Sequence, residues 1–118
     1  MAKVLIVDDA EFLRVRLTKM LSTDGYEVFQ AENGLKAVST YKDIHPDIVL
    51  MDVTMPEMDG LTALKENVGI DPKARVIMLT ALGQESVVLE AVKSGSKDFV
   101  VKPFEQDRVM KAITKLLA

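Results

Sequence analysis

A chain of 118 residues with 48% hydrophobic content is enough for one domain of ordinary size with one continuous core. The absence of cysteine excludes a disulfide framework and thiolate metal sites, and a net charge of -3 disfavours the broad basic field on which non-specific nucleic-acid binding rests. The N-terminus MAKVLIVDDA carries only Val4 to Val7 as an apolar run before two aspartates, too short for a signal-peptide core or a membrane span, so a soluble cytoplasmic protein is expected.

Val4 to Val7 reads as a first strand, apolar on both faces. Leu13, Leu17, Met20 and Leu21 then recur at helical spacing, and Gly25 stands where a left-handed residue would end that helix. Tyr26 to Ala31 is the second strand; Asn33 is placed to cap a second helix marked by Leu35, Val38 and Tyr41. His45, the only histidine, precedes Pro46 in a turn and is expected on the surface. The apolar run Ile48 to Met51 is the third strand, and Asp59 caps a third helix carrying Leu61, Leu64 and Val68, with Gly69 as its end. After the turn DPK at 71 to 73, Val76 to Leu79 is the fourth strand. Val88, Leu89 and Val92 mark the fourth helix, ended by Gly95. Phe99 to Val101 is the fifth strand, and Val109, Ile113 and Leu116 mark the last helix. Met51 and Met78 are expected as core packing. Arg108 and Lys111 with Lys115 give the last helix a basic side, near Lys97. That side is either a solvated face or, with the fourth helix and fifth strand, a docking surface for an acidic partner peptide.

Strand and helix alternate five times with short connections, which predicts an α/β fold over residues 1–118, a parallel sheet with helices on both faces and right-handed crossovers. In such a sheet the functional crevice lies beyond the carboxyl ends of the strands. Strand one ends in Asp8 and Asp9, strand three in Asp52, strand four in Thr80, and strand five in Lys102. Singly, each has an ordinary use as a turn former, a β-branched strand residue or a solvated charge. Together they do not: three carboxylates at a partly desolvated edge repel one another unless a cation joins them.

Three carboxylates and one ammonium leave about two negative charges, which suits a divalent ion with oxygen ligands and points to Mg²⁺ rather than zinc. Asp9, Asp52 and the backbone carbonyl of Thr54 are the expected direct ligands, with Asp8 acting partly through water. A carboxylate beside Mg²⁺ and a fixed lysine is placed to attack a phosphoryl group in line and form an aspartyl phosphate. The phosphoryl charge would then be shared by the metal, Lys102, the Thr80 hydroxyl and the backbone amides near Ala81.

The segments VLIVDDA, DIVLMDVTMPEMDG, VIMLTA and DFVVKPF together resemble the receiver domain of two-component response regulators, and the likeness covers the whole chain. The resemblance implies a flavodoxin-like, doubly wound sheet of strand order 2-1-3-4-5. It makes Asp52 the phosphoacceptor, Asp8 and Asp9 the acidic pair, Thr80 the switch hydroxyl, Lys102 the family's lysine and Phe99 the aromatic switch. It further implies a histidine kinase as phosphodonor and a protein that catalyses its own phosphorylation and slow dephosphorylation without being an enzyme in the usual sense. A flagellar motor switch protein or another target would meet the face of helix four, strand five and helix five, and a phosphatase would clear the signal. Neither nucleic acid nor membrane is an expected partner, and the chain is expected to act as a monomer. Because it ends just after the fifth helix, a stand-alone chemotaxis receiver is expected, with a phosphorelay intermediate or an isolated receiver of a larger regulator as alternatives.

Two rival classes fit less well. Phosphohydrolases that use an aspartyl phosphate place a second Asp two residues after the nucleophile, where this chain has Thr54. A flavin-binding relative of the same fold would need a glycine- and hydroxyl-rich phosphate loop after strand one, where DDAEFLR has two acids and no glycine.

Overall fold

A computed structural model of the chain describes residues 2–55 and 57–118. The elements in chain order are β1 (Lys3–Val7), α1 (Glu11–Thr23), β2 (Glu27–Ala31), α2 (Gly34–Ile44), β3 (Ile48–Asp52), α3 (Gly60–Ile70), β4 (Val76–Thr80), α4 (Glu85–Lys93), β5 (Asp98–Val101) and α5 (Gln106–Leu117). The strands form one sheet in the order β2-β1-β3-β4-β5, with every pairing parallel. The flavodoxin-like order is therefore the observed one. Among the described residues no helix is long and apolar enough to cross a membrane.

Apolar residues fill both faces of the inner strands because helices cover both. Val4, Ile6, Ile48, Leu50, Ile77 and Leu79 pack with Leu13, Leu17 and Leu21 of α1 and with Val109, Ala112 and Ile113 of α5. The alternate residues, including Leu5, Val7, Val49, Met51 and Met78, pack with Ala37 and Tyr41 of α2, Ala63 and Leu64 of α3, and Ala91 of α4. Met51 and Met78 are fully buried, as expected of core packing.

Helix ends follow local chemistry. The side chains of Asn33 and Asp59 cap α2 and α3 by accepting from the amides of Lys36 and Thr62, both at 2.8 Å. Gly25 and Gly95 take the positive φ expected of them, 89° and 112°. Gly69 does not: it lies within α3, which ends instead at Asp71 in an extended conformation. The exposed His45 takes up a left-handed residue's duty at the end of α2, with φ of 46°.

The faces of two helices differ from the periodicity reading. Leu35 points outward at 51% exposure, and Gly34, Ala37 and Tyr41 form the buried side of α2. In α4 the reversal is larger. Ala91 is its buried residue, with Val87 packed against the core, whereas Leu89 is 64% and Val92 is 50% exposed. Spacing marks an apolar stripe, but small residues let a helix approach a sheet closely, so the alanine side goes inward.

Candidate functional site

The register of the sheet sets the site. Val7 of β1 pairs with Met51 of β3, Asp52 pairs with Leu79 of β4, and Thr80 pairs with Val101 of β5. The next residues of β1 and β5, Asp8 and Lys102, thus arrive at the same edge as Asp52. Lys102 Nζ donates to Asp8 Oδ2 at 2.9 Å and to Asp52 Oδ1 at 3.2 Å, joining residues fifty and more positions apart. Its backbone amide donates to the Thr80 carbonyl at 2.6 Å, and the following Lys102–Pro103 peptide is cis.

Asp8, Asp9 and Asp52 each offer an oxygen within 4.8 Å of the others. They differ in surroundings. Asp8 is buried and engages both oxygens, Oδ2 with Lys102 and Oδ1 with the Ala10 amide at 2.9 Å. Asp9 is exposed, and Asp52 lies between at 9% exposure. Burial, then the negative charge of Asp8, hold the Asp52 carboxyl above the ordinary carboxylate range despite the opposing pull of Lys102. Burial disfavours the Lys102 ammonium too, but the bonds and charges of Asp8 and Asp52 outweigh it, and its pKa is raised. Oxygen donors, surplus negative charge and one solvent-facing member fit a hard divalent cation.

Other residues of the site carried no signal in the sequence reading. Arg14 Nη1 donates to the Asp8 carbonyl at 2.6 Å and anchors the turn after β1. Gly60 donates its amide to the Val53 carbonyl at 2.8 Å, and a Cβ there would run into the Asp52 carbonyl. Only glycine lets α3 start this close to the end of β3. The Ala81 amide and the Thr54 hydroxyl are both bonded by Gln84.

Thr80 is buried at the end of β4, and Phe99 is exposed beyond it. Both line a groove of about 350 Å³ between α4 and β5, walled also by Leu82, Val88, Leu89 and Val92. Of the basic side expected on the last helix, Arg108 is engaged within the chain: Nη2 donates to the Phe99 carbonyl at 2.7 Å and pairs with Asp98 at 3.5 Å. Lys97, Lys111 and Lys115 are exposed.

A family model described as the response regulator receiver domain matches residues 4–114. The chain is 55% identical over 116 residues to the chemotaxis protein CheY of Bacillus subtilis (strain 168), covering 98% of this chain and 97% of that protein. It is 52% identical over 115 residues to CheY of Thermotoga maritima, covering 97% and 96%. Among solved structures, the CheX-CheY-BeF3-Mg+2 complex from Borrelia burgdorferi is similar with a TM-score of 0.93 at 38% identity, covering 99% of this chain and 90% of that one. A response regulator receiver domain protein from Clostridium thermocellum gives a TM-score of 0.95 at 28% identity, covering 99% and 94%. Matches of that extent, with more than half the residues identical in proteins of nearly equal length, place the chain in the family of response regulator receiver domains, as a homologue of the chemotaxis protein CheY.

Proposed function

We propose that the protein receives a phosphoryl group on Asp52 from a phosphohistidine of a histidine kinase and so switches its binding to a target in the cytoplasm, in chemotaxis. The observation that carries this reading is Lys102 Nζ held between Asp8 and Asp52 at the strand ends, beside the exposed Asp9. An ammonium fixed at that point neutralises charge on an incoming phosphoryl group and orients the carboxylate. A carboxylate oxygen of Asp52 attacks phosphorus, the P–N bond breaks, and its electron pair stays on the imidazole nitrogen. Asp9, Asp52 and the Thr54 carbonyl would hold Mg²⁺, and Asp8, whose two oxygens are already engaged, would reach it through water. When bound, the ion offsets the repulsion between anionic donor and anionic acceptor.

Once Asp52 carries phosphate, the Thr80 hydroxyl, Lys102 and the Ala81 amide have an oxygen to bind, and movement of Thr80 leaves room for the Phe99 ring. A differential contact of this kind is what a shift between two states requires. The groove between α4 and β5, with Leu82, Leu89, Val92, Phe99 and Val101 exposed, supports a protein target such as a motor switch protein on the face of α4, β5 and α5. The similarity to a CheY solved with CheX supports a further protein partner, which we assign to phosphate removal.

Incubation with acetyl phosphate and Mg²⁺, followed by intact mass, tests the acceptor. One phosphoryl group should appear, and chelation should prevent it. Labelling of Asp52→Asn at the wild-type level would overturn the assignment.

A further inference from the structure

The loops that follow β3 and β4 on either side of the acceptor edge are tied together by one side chain. Gln84 Oε1 accepts from the Ala81 amide at 2.6 Å, and Gln84 Nε2 donates to Thr54 Oγ1 at 3.2 Å. Gln84 occupies the N-cap position of α4, yet its side chain makes no capping bond with that helix. A polar side chain at a helix start ordinarily satisfies the free amides of the first turn. Here it turns back, away from α4, and closes onto the site.

The Ala81 amide is the group that the acceptor reading assigns to a phosphoryl oxygen, and one N–H makes one short, well-aligned bond at a time. We propose that Gln84 is an internal latch: its carboxamide oxygen occupies the Ala81 amide in the unphosphorylated protein and competes there with the phosphoryl oxygen of Asp52. The inference rests on Asp52 being the phosphoacceptor. Phosphorylation then exchanges a neutral acceptor for a charged one on the same donor, and the charged partner wins. The released Gln84 lies at the first turn of α4 and, like Ala81 and Leu82, lines the groove that ends at Phe99. Latch opening is thus a direct physical link from the acceptor edge to the groove wall. The second bond, to Thr54, holds the carboxamide in the orientation that presents oxygen to Ala81, because rotating it would present an NH₂ group to an N–H donor.

The latch sets the affinity of the site as well as its switching. Removing one neutral bond from the empty state, with no bond lost from the occupied state, corresponds to about a two- to tenfold gain in affinity for a phosphoryl mimic. Two variants of the full chain separate competition from mere loop support. Gln84→Met keeps length and apolar bulk but has no carboxamide oxygen, whereas Gln84→Glu keeps the acceptor and adds charge. Titration with beryllofluoride in the presence of Mg²⁺, followed by amide NMR, reads both.

Gln84→Met should bind beryllofluoride about two- to tenfold more tightly than wild type, and in the free protein its Ala81 amide proton should move upfield and exchange faster. Gln84→Glu should bind more weakly, with the Ala81 proton shifted downfield. Loop support alone would weaken both variants. Equal or weaker binding by Gln84→Met would overturn the latch, as would an unmoved Ala81 resonance. Failure of wild type and both variants to bind beryllofluoride would instead overturn the acceptor reading beneath it.

Discussion

Replacing the acceptor should make the metal-free protein more stable. At an effective dielectric of about 20, the attraction between Asp52 and Lys102 at 3.2 Å amounts to roughly 5 kcal/mol. Repulsion from Asp8 at the 4.8 Å limit of the cluster is about 3.5 kcal/mol. The exposed Asp9 adds less, roughly 1 to 2 kcal/mol, because solvent screens it. Attraction and repulsion therefore cancel to within about 1 kcal/mol, and the desolvation of a carboxylate at 9% exposure decides the sign. Asp52→Asn should gain about 1 to 2 kcal/mol at pH 7 in EDTA. With a urea slope of about 2 kcal/mol per molar, the unfolding midpoint should rise by roughly half to one molar. Circular dichroism is the suitable probe, since the chain has no tryptophan. The pH dependence has a fixed sign. The folded pKa of Asp52 lies above its ordinary value of 3.8, so the charged form is destabilising above the folded pKa and that penalty disappears as pH falls towards 3.8. The advantage of the variant should shrink over that same window, and added Mg²⁺ should stabilise wild type more than the variant. A variant less stable than wild type at pH 7 in EDTA would refute this electrostatic account.

Lys102→Met strands the buried Asp8 without its cation, and should cost about 2 to 4 kcal/mol in urea unfolding, somewhat less than a fully buried broken pair because Lys102 keeps 28% exposure. Since the folded pKa of Lys102 lies above 10.5, that deficit is full below pH 10.5 and declines as pH rises through the folded value. Thr80→Ala should still accept phosphate at Asp52, but NMR of the Phe99 ring should show little response to beryllofluoride; a response equal to wild type would remove Thr80 from the switch. Asn67 is fully buried in α3 with neither side-chain polar atom bonded to any described residue, so Asn67→Leu should raise stability by about 1 to 2 kcal/mol in the same unfolding assay.

The sequence by itself determined the sheet and the membership of the acid cluster. Runs such as Ile48 to Met51 can be buried on both faces only in a strand covered by helices on both sides, and each such run delivers its next residue to one edge. Asp8, Asp9, Asp52, Thr80 and Lys102 could therefore be named from where the apolar runs stop. Tertiary structure alone decided which acids take the lysine: Asp8 and Asp52 pair with it, and Asp9 faces solvent, because burial depends on the turn that Arg14 and Ala10 stabilise. It also decided the orientation of α4. Periodicity places Leu89 and Val92 on an apolar stripe, but does not distinguish a stripe that covers the sheet from one left open to a partner. The close approach allowed by Ala91 settles that choice. The partners of Arg108 and Gln84 were illegible for a related reason. A long polar side chain can reach any acceptor within several Å, and only the folded neighbourhood of loops and strand edges selects the Phe99 carbonyl for one and the Ala81 amide for the other.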